Sequence, residues 1–246
     1  MNSSDLGTVG AGVSPDACDH LAAPCDRWHH GSYVSTLRPS GLAPGTQIWL
    51  VDPENPGPFG ELSLLSESER ERAQRYLREV NRREYIAAHG LLRTQLGRVL
   101  GIAPQTVRFV TGPHGRPELA GITDISFSLS HTTGLVGCAI ARGAVVGFDL
   151  EPLRRIDALA MAPGILDETE RRDTAARSGD ARCRRFLAYW TLKEAVLKVR
   201  GTGLTLPADG AVIRWLADGS PVVAALPDGA RPACHVSRLW GLSRQG

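Results

Sequence analysis

Two stretches of this chain carry apolar residues at helical spacing, and short apolar runs follow each of them. The first stretch opens with a capping-box spacing between Ser66 and Glu69 and continues to Gly101. The second opens at Asp167, with an acidic residue three positions later, and ends at Gly201. Helices followed by strands, twice over, favour an α+β fold with two similar halves.

The first helical stretch has a well-defined apolar stripe. Ala73, Tyr76, Leu77 and Val80 fall at i, i+3, i+4 and i+7, so they are predicted to form the buried side of an amphipathic helix. The same spacing continues over residues 85–99. The pattern leaves open two helices or one long kinked helix.

Short apolar runs bounded by glycine and proline supply the predicted strands. Residues 46–51 form the first, and residues 52–60, which contain three prolines, are predicted to be a loop. The remaining strands of the first half form a meander over residues 125–129, 135–141 and 144–150. Weaker strands are predicted in the second half over residues 212–216, 222–226 and 234–239.

The boundaries of the halves follow from composition. Residues 1–45 are rich in Gly, Ser, Pro, Ala and Asp without apolar periodicity, which predicts a mobile N-terminal extension. Residues 46–150 are predicted to form the N-terminal α+β half and residues 151–246 the C-terminal half.

Charge, hydropathy and cysteine content exclude several classes. The formal net charge is only +2, which argues against a nucleic-acid-binding protein, and the basic runs 70–93 and 171–185 are interpreted as solvated helix faces or as contacts for an anionic partner. Neither a membrane span nor a secretion signal occurs, so a cytoplasmic protein without membrane contact is predicted. Five cysteines without C-x-x-C spacing predict neither disulfides nor a zinc site, and Cys138 is expected in the core.

Lysine is rare in a chain that is otherwise rich in arginine. All but two of the 28 basic residues are arginine, and the two lysines, Lys193 and Lys198, lie five positions apart. Because lysine presents a compact ammonium and arginine a broad planar fork, these positions are expected to need a point donor in a tight space, and phosphate oxygens are one such partner. The alternative is an accident of composition, with Glu194 and Lys198 forming an ordinary surface ion pair.

Two carboxylates are predicted to share one side of a strand. Asp149 and Glu151 alternate with Phe148 and Leu150, so the acidic pair would project away from the apolar pair. Two such carboxylates repel unless they are solvated at a strand end, as Pro152 suggests, or unless a hard cation such as Mg²⁺ lies between their oxygens.

Hydroxyls and one imidazole end another predicted strand. Ser130 and His131 could bind a phosphate or a substrate hydroxyl at the turn that follows. Neighbouring residues on a strand point to opposite faces, so the two do not form a nucleophilic dyad by spacing alone. A structural hydrogen-bonding role for His131 stays open.

Three segments, taken in order, together resemble the 4′-phosphopantetheinyl transferases. They are Ser-Leu-Ser-His-Thr at 128–132, Val-Gly-Phe-Asp-Leu-Glu at 146–151 and the block at 186–204. That block contains Trp-x-x-Lys-Glu-Ala-x-x-Lys-x-x-Gly-x-Gly-Leu from Trp190 onward, and it is similar to the larger, single-chain, Sfp-type branch of the family. The likeness extends over residues 46–210, and Ser128 departs from it because the family usually has asparagine there.

The resemblance implies a fold and a reaction. The fold would be a pseudo-dimer of two similar α+β halves in a monomer, with coenzyme A and Mg²⁺ in the cleft between them. The reaction would move the 4′-phosphopantetheine arm of coenzyme A onto a serine of an apo acyl or peptidyl carrier protein, as in secondary metabolism. Adenosine 3′,5′-bisphosphate would be the other product.

The resemblance also implies site residues. Asp149, Glu151 and Glu194 would hold Mg²⁺, with Glu194 or a metal-bound water as the base. Coenzyme A would be bound by the residues at the matching positions: Lys198 at the pyrophosphate, Ser130 and His131 at the nucleotide end, and Arg72, Arg83 and Arg116 at its phosphates. Lys198, one turn after Glu194, would be the functional lysine, and Lys193 is expected to tolerate arginine better.

Two other functions remain alternatives at this stage. A coenzyme A or carrier-protein binding module without catalysis would be expected to lack a carboxylate or lysine of the set, and all are present. A magnesium-dependent phosphoesterase would share the carboxylates but would leave the block from Trp190 to Leu204 unexplained.

Overall fold

A computed structural model describes residues 35–37, 42, 44–112, 115–201 and 207–230 of the chain. The fold is mixed α and β, as predicted. Its strands are β1 (Ser35–Leu37), β2 (Gln47–Val51), β3 (Phe109–Thr111), β4 (Pro117–Leu119), β5 (Ile125–Thr132), β6 (Leu135–Arg142), β7 (Val212–Trp215) and β8 (Pro221–Ala225). Its α-helices are α1 (Glu67–Gln74), α2 (Glu79–Leu100), α3 (Ala158–Met161), α4 (Glu168–Ala175) and α5 (Gly179–Arg200).

The main sheet has the strand order β1-β2-β6-β5, and each neighbouring pair is antiparallel. Both of its faces are covered. Trp49 and Val51 of β2 pack on the side of α2, whereas Ile48 and Leu50 pack into a second cluster on the opposite side. Burial on both faces explains why β2 is a continuous apolar run and not an alternating one.

The first helical stretch consists of two helices. Ser66 caps α1 with the predicted capping box, and Gly101 ends α2 in the left-handed conformation with φ of 68°. The stripe predicted across the junction is wrong at Leu77, which is fully exposed, and at Val80, which is 38% exposed. Because α1 stops at Gln74 and the chain turns before α2 begins, the helical phase is not carried from one helix to the other.

The remaining elements include a second sheet and a second core. The strands β7 and β8, which pair antiparallel, confirm the predictions for 212–216 and 222–226, and they pack with α5 into a core that includes Phe186 and Ile213. The strand predicted at 234–239 lies outside the described residues. Most of residues 1–45 also lies outside them, but β1 precedes the predicted boundary at residue 46 and adds an edge strand to the main sheet.

Two further predictions concern the cysteines and membrane-spanning helices. Cys138 is fully buried in the core, and burial raises the pKa of its thiol. Within the described part of the chain, Cys138 and Cys183 are free thiols. No helix there is both long enough and apolar enough to span a membrane.

The third strand of the predicted meander, residues 144–150, is absent. The second neighbour of β6 is β2, so this segment returns along β5 on the second face of the sheet, where Val146 and Phe148 pack. Side chains replace the backbone ladder: the N–H groups of Val146, Phe148 and Leu150 donate to the hydroxyls of Ser126, Ser128 and Ser130, at 3.1, 3.0 and 3.2 Å. We call this contact between β5 and residues 144–150 the seam.

Candidate active site

The seam turns two carboxylates toward α5. Val146 and Phe148 are buried against the sheet and Leu150 packs beside them, so Asp149 and Glu151 point the other way, as their alternation predicts. The alternation therefore holds although the segment is extended chain without a backbone ladder.

Asp149 lies in a network of hydrogen bonds at the seam. Its side chain is 9% exposed, and its Oδ1 accepts from Lys198 Nζ at 2.7 Å and from Ser130 Oγ at 2.9 Å. The Lys198 ammonium also donates to the carbonyl oxygens of Phe148 at 3.0 Å and Leu129 at 3.5 Å. Three acceptors around one Nζ match the three protons of an ammonium, which explains a lysine here in physical terms.

Glu151 is held by a different residue of α5. Its Oε1 accepts a hydrogen bond from the indole Nε1 of Trp190 at 2.9 Å. Trp190 precedes Glu194 by one helical turn, so α5 contributes a donor to Glu151 and a third carboxylate beside it. Trp190 thus has a contact that the sequence did not indicate.

Glu194 is the least satisfied of the carboxylates. Burial, together with the nearby charges of Asp149 and Glu151, raises its pKa, and only Lys198 acts in the opposite direction. Its Oε1 is buried and finds no hydrogen-bond partner within the described part of the chain. An unpartnered buried oxygen among like charges is suited to accept a proton or to meet a cation.

The donor set fits magnesium chemically, since hard cations prefer carboxylate oxygens. In this structure, however, Asp149 is hydrogen-bonded to Lys198 and Glu151 to Trp190. No group of three or more His, Cys, Asp or Glu residues in the described ranges is placed to hold a metal ion. Binding of Mg²⁺ by Asp149, Glu151 and Glu194 would therefore require side-chain rotations.

A glycine of the seam explains how α5 comes so close. A Cβ at Gly147 would overlap the carbonyl oxygen of Ala195 and would lie 2.9 Å from the backbone nitrogen of Val199. Residue 147 therefore has to lack a side chain if Lys198 is to reach the seam.

We expect Gly147→Ala to displace α5 from the seam. Overpacking of this kind costs about 1–3 kcal/mol of unfolding free energy, and the transfer activity that the family resemblance implies should fall with it, because Glu194 and Lys198 both lie on α5. Urea unfolding and initial rates would measure the two effects. Gly143→Ala is a useful comparison, because Gly143 has open space around it although its φ of 71° adds backbone strain. Equal activity losses in the two variants would contradict the close-approach explanation.

A second cluster brings together two of the predicted coenzyme A ligands. An open pocket of about 130 Å³ has both Arg72 and His131 in its wall, and the remaining lining residues are Tyr76, Tyr85, Ala88, His89 and Leu129. The Arg72 guanidinium lies 5.7 Å from the centre of the Tyr85 ring. Leu129 also offers its carbonyl oxygen to Lys198, so the pocket and the carboxylate cluster share this residue.

The other predicted ligands lie elsewhere. Arg83 is exposed on α2 and is not among the residues that line this pocket. Ser130 is buried and bonded to Asp149, on the opposite face of β5 from His131. Arg116 donates to protein oxygens at the seam and at the end of α5.

Glu69, a member of the capping box of α1, also supports the pocket. Glu69 of α1 binds His89 Nδ1 at 3.1 Å and Arg93 Nε at 2.5 Å, both on α2, and so fixes the helix that carries Arg72. Burial opposes ionisation of Glu69 most strongly, but hydrogen bonds from His89, Arg93 and the Ser66 N–H outweigh it and lower its pKa from 4.5 to about 2.

We expect Glu69 to contribute to acid-dependent stability. Its folded pKa is depressed, so its contribution is complete above pH 4.5 and is lost as the pH falls toward about 2. In Glu69→Gln the unfolding free energy should be lower at pH 7 and should decline less steeply over that interval. Urea unfolding at several pH values would measure it, and an unchanged slope would contradict the assignment.

The structure gives Lys193 a role that the sequence analysis did not anticipate. It is fully buried, and its Nζ forms an ion pair with Glu170 Oε2 at 2.7 Å and donates to the carbonyl oxygens of Ala208 and Ala211 at 3.1 and 2.7 Å. Glu170 also caps α4 and accepts from the Ile213 N–H, so the pair joins α4, α5 and β7. The expectation that arginine would impair transfer less at Lys193 than at Lys198 stays a prediction, and the burial of Lys193 adds an expected loss of stability.

Comparison with known proteins adds an independent line of evidence. The family model of the 4′-phosphopantetheinyl transferase superfamily matches residues 145–240, which include the seam carboxylates and α5. The chain is 29% identical over 175 residues to the 4′-phosphopantetheinyl transferase Sfp of Bacillus subtilis, covering 71% of this chain and 76% of that protein.

Two cyanobacterial proteins show the same relationship. The chain is 29% identical over 205 residues to a putative 4′-phosphopantetheinyl transferase of Synechocystis, covering 74% of this chain and 82% of that protein. It is 34% identical over 169 residues to the 4′-phosphopantetheinyl transferase HetI of Nostoc, covering 66% and 71% of the two chains. This chain therefore belongs to the 4′-phosphopantetheinyl transferase family.

Proposed function

We propose that this chain transfers the 4′-phosphopantetheine arm of coenzyme A to a serine of an apo acyl or peptidyl carrier protein, using the carboxylates at the seam and the lysine of α5. Family membership supports the enzyme class and the transferred group. The observation that carries the assignment of residues is the buried Oε1 of Glu194, which has no hydrogen-bond partner in the described ranges and lies beside Asp149, Glu151 and Lys198. The relatives are named as transferases, and they give no support to a non-catalytic module or a phosphoesterase.

Magnesium is the cation that these residues are proposed to hold. Asp149, Glu151 and Glu194 would supply oxygen ligands, and binding would relieve the repulsion that, together with burial as the larger cause, raises the pKa of Glu194. When bound, Mg²⁺ would supply positive charge to balance the negative charge on the phosphate oxygens.

The proton of the carrier serine requires an acceptor. The serine oxygen forms a bond to the β-phosphorus of the coenzyme A pyrophosphate, the bond from that phosphorus to the bridging oxygen breaks, and adenosine 3′,5′-bisphosphate leaves. We assign the serine proton to Glu194, directly or through a water. Its buried Oε1, which has no hydrogen-bond partner among the described residues, supports this role because a positioned carboxylate oxygen can accept the proton.

The remaining cations are assigned to coenzyme A. The Lys198 ammonium donates a hydrogen bond to Asp149 in this structure, and we propose that it donates to the pyrophosphate when coenzyme A is bound. Arg72 and His131 are proposed to meet phosphate at the nucleotide end, because they face one pocket that adjoins Lys198 through Leu129. Ser130 is proposed to orient Asp149. Arg83 stays a predicted phosphate contact.

The proposed architecture is a pseudo-dimer. The main sheet with α2 and the pair β7–β8 with α5 would be its two halves, and their separate cores support that division. The monomeric state and cytoplasmic location stay predictions.

Release of adenosine 3′,5′-bisphosphate from coenzyme A and Mg²⁺ tests the function against both alternatives. Release that requires an apo carrier protein, and fails when the carrier serine is replaced by alanine, is the expected result. Release without any carrier would indicate a phosphoesterase. Binding of coenzyme A without release under any condition would indicate a binding module.

A further inference from the structure

Arg116 joins three parts of the molecule that are distant in sequence. It lies immediately before β4, and its guanidinium is half-buried. Its acceptors are all protein oxygens: Nη1 donates to Lys198 O at 3.0 Å and Val199 O at 3.1 Å, and Nη2 donates to Ser126 Oγ at 2.8 Å, Phe127 O at 2.9 Å and Val146 O at 3.0 Å.

These hydrogen bonds occupy the N–H groups of Arg116 that a phosphate contact would require. The two terminal nitrogens of a guanidinium carry four N–H groups between them, and here they meet five oxygen acceptors. A bidentate contact to a phosphate uses two parallel N–H groups, so forming one would break bonds that hold the backbone. Arg116 is thus poorly placed for the phosphate contact implied by the family resemblance.

The acceptors are groups that need a donor. The carbonyls of Lys198 and Val199 lie in the last turn of α5, where carbonyl oxygens lack partners within the helix. A positive charge at this end also interacts favourably with the helix dipole. Arg116 therefore acts as a side-chain cap on the helix that carries Glu194 and Lys198.

Arg116 and Lys198 repeat one arrangement along the seam. Arg116 bridges the carbonyl oxygens of Phe127 and Val146, and Lys198 bridges those of Leu129 and Phe148, two residues further along each segment. The serine hydroxyls satisfy the N–H groups of the seam, and these two cations satisfy its carbonyls. Arg116 therefore binds the seam beside Lys198, and the hydrogen bonds of Arg116 would persist when Lys198 turns toward a ligand.

We propose that Arg116 is a positioning residue, which fixes the last turn of α5 against the seam and thereby sets the positions of Glu194 and Lys198. The proposal rests on the proposed function for the identity of the reaction. It differs from a role in binding coenzyme A, which would place Arg116 in contact with phosphate.

Arg116→Lys and Arg116→Ala, each compared with Arg72→Ala, separate the two roles. Lysine keeps the charge but offers three donors on a single nitrogen, which cannot bridge three separated elements. We expect both Arg116 variants to lower Tm by several degrees and kcat by at least about tenfold, with the Kd and KM for coenzyme A changed by less than about threefold. Arg72→Ala should show the opposite pattern, with a higher Kd for coenzyme A and an unchanged Tm.

Thermal unfolding, calorimetric titration with coenzyme A, and carrier-modification rates supply the readouts. A tenfold weaker Kd for coenzyme A in Arg116→Ala, with Tm and kcat unchanged, would overturn the proposal. A lower Tm in both Arg116 variants with kcat unchanged would also overturn it, because Arg116 would then stabilise the fold without setting the positions of Glu194 and Lys198. Unfolding and coenzyme A binding do not require transfer, so the comparison stays valid if the unmodified chain transfers nothing and the proposed function fails.

Discussion

Glu194→Gln is expected to remove at least about 99% of carrier modification while leaving the fold intact. The amide keeps the shape of the side chain but can neither accept the serine proton, a role that contributes roughly 10²-fold or more, nor supply a charged oxygen to Mg²⁺. Initial rates of holo-carrier formation at saturating coenzyme A would measure the loss. A rate within about twofold of the unmodified chain would exclude Glu194 as the base.

The same variant is expected to be more stable than the unmodified chain. Glu194 is repelled by Asp149 and Glu151, and its buried Oε1 lacks a hydrogen-bond partner in the part of the chain that the structure describes. A neutral amide should therefore relieve a cost that function imposes. Urea unfolding should therefore show a higher midpoint for Glu194→Gln. Glu71→Gln, at an exposed position of α1, is the matched control and should change neither rate nor midpoint.

Lys193→Met is expected to cost about 3–5 kcal/mol of unfolding free energy. The change leaves the carboxylate of Glu170 buried and without its cation, which is the costly way to break a buried ion pair. Lys193→Arg should also destabilise, because the larger guanidinium must enter a site with no exposed surface. Urea unfolding would measure both variants.

A second substitution distinguishes loss of the ion pair from loss of packing. Combining Lys193→Met with Glu170→Gln removes both charges and should recover part of the lost free energy. Lys198→Arg gives the contrasting result, since Lys198 is partly exposed: the fold should persist while transfer falls at least about tenfold. An unfolding free energy for Lys193→Met equal to that of the unmodified chain would show that the pair contributes little.

Local signals predicted the helices well. The capping box at Ser66 and the left-handed glycine at Gly101 act within a few residues, so their sequence spacing is sufficient to locate the helix ends. The position of residues 144–150 depends instead on whether the outer side of β6 is free to pair. That side is occupied by β2, and no local pattern within the meander encodes this pairing.

The sequence predicted the carboxylates of the candidate site but not the residues that hold them in place. Asp149 and Glu151 alternate with apolar residues, and that alternation placed them on one side. The burial of Lys193 was also readable, because it lies seven residues after Phe186 and four after Tyr189, on the buried stripe of α5. The contacts of Arg116 and Trp190 join residues that are distant along the chain, so spacing alone could not reveal them.

The most direct test is the intact mass of an apo carrier protein after incubation with this chain, coenzyme A and Mg²⁺. A mass gain of one phosphopantetheine, located on the carrier serine, is expected for the unmodified chain and should be absent with Glu194→Gln or with a chelator. An unchanged carrier mass across several acyl and peptidyl carriers, with coenzyme A bound, would contradict transfer. Equal mass gain with Glu194→Gln would contradict the assignment of the site.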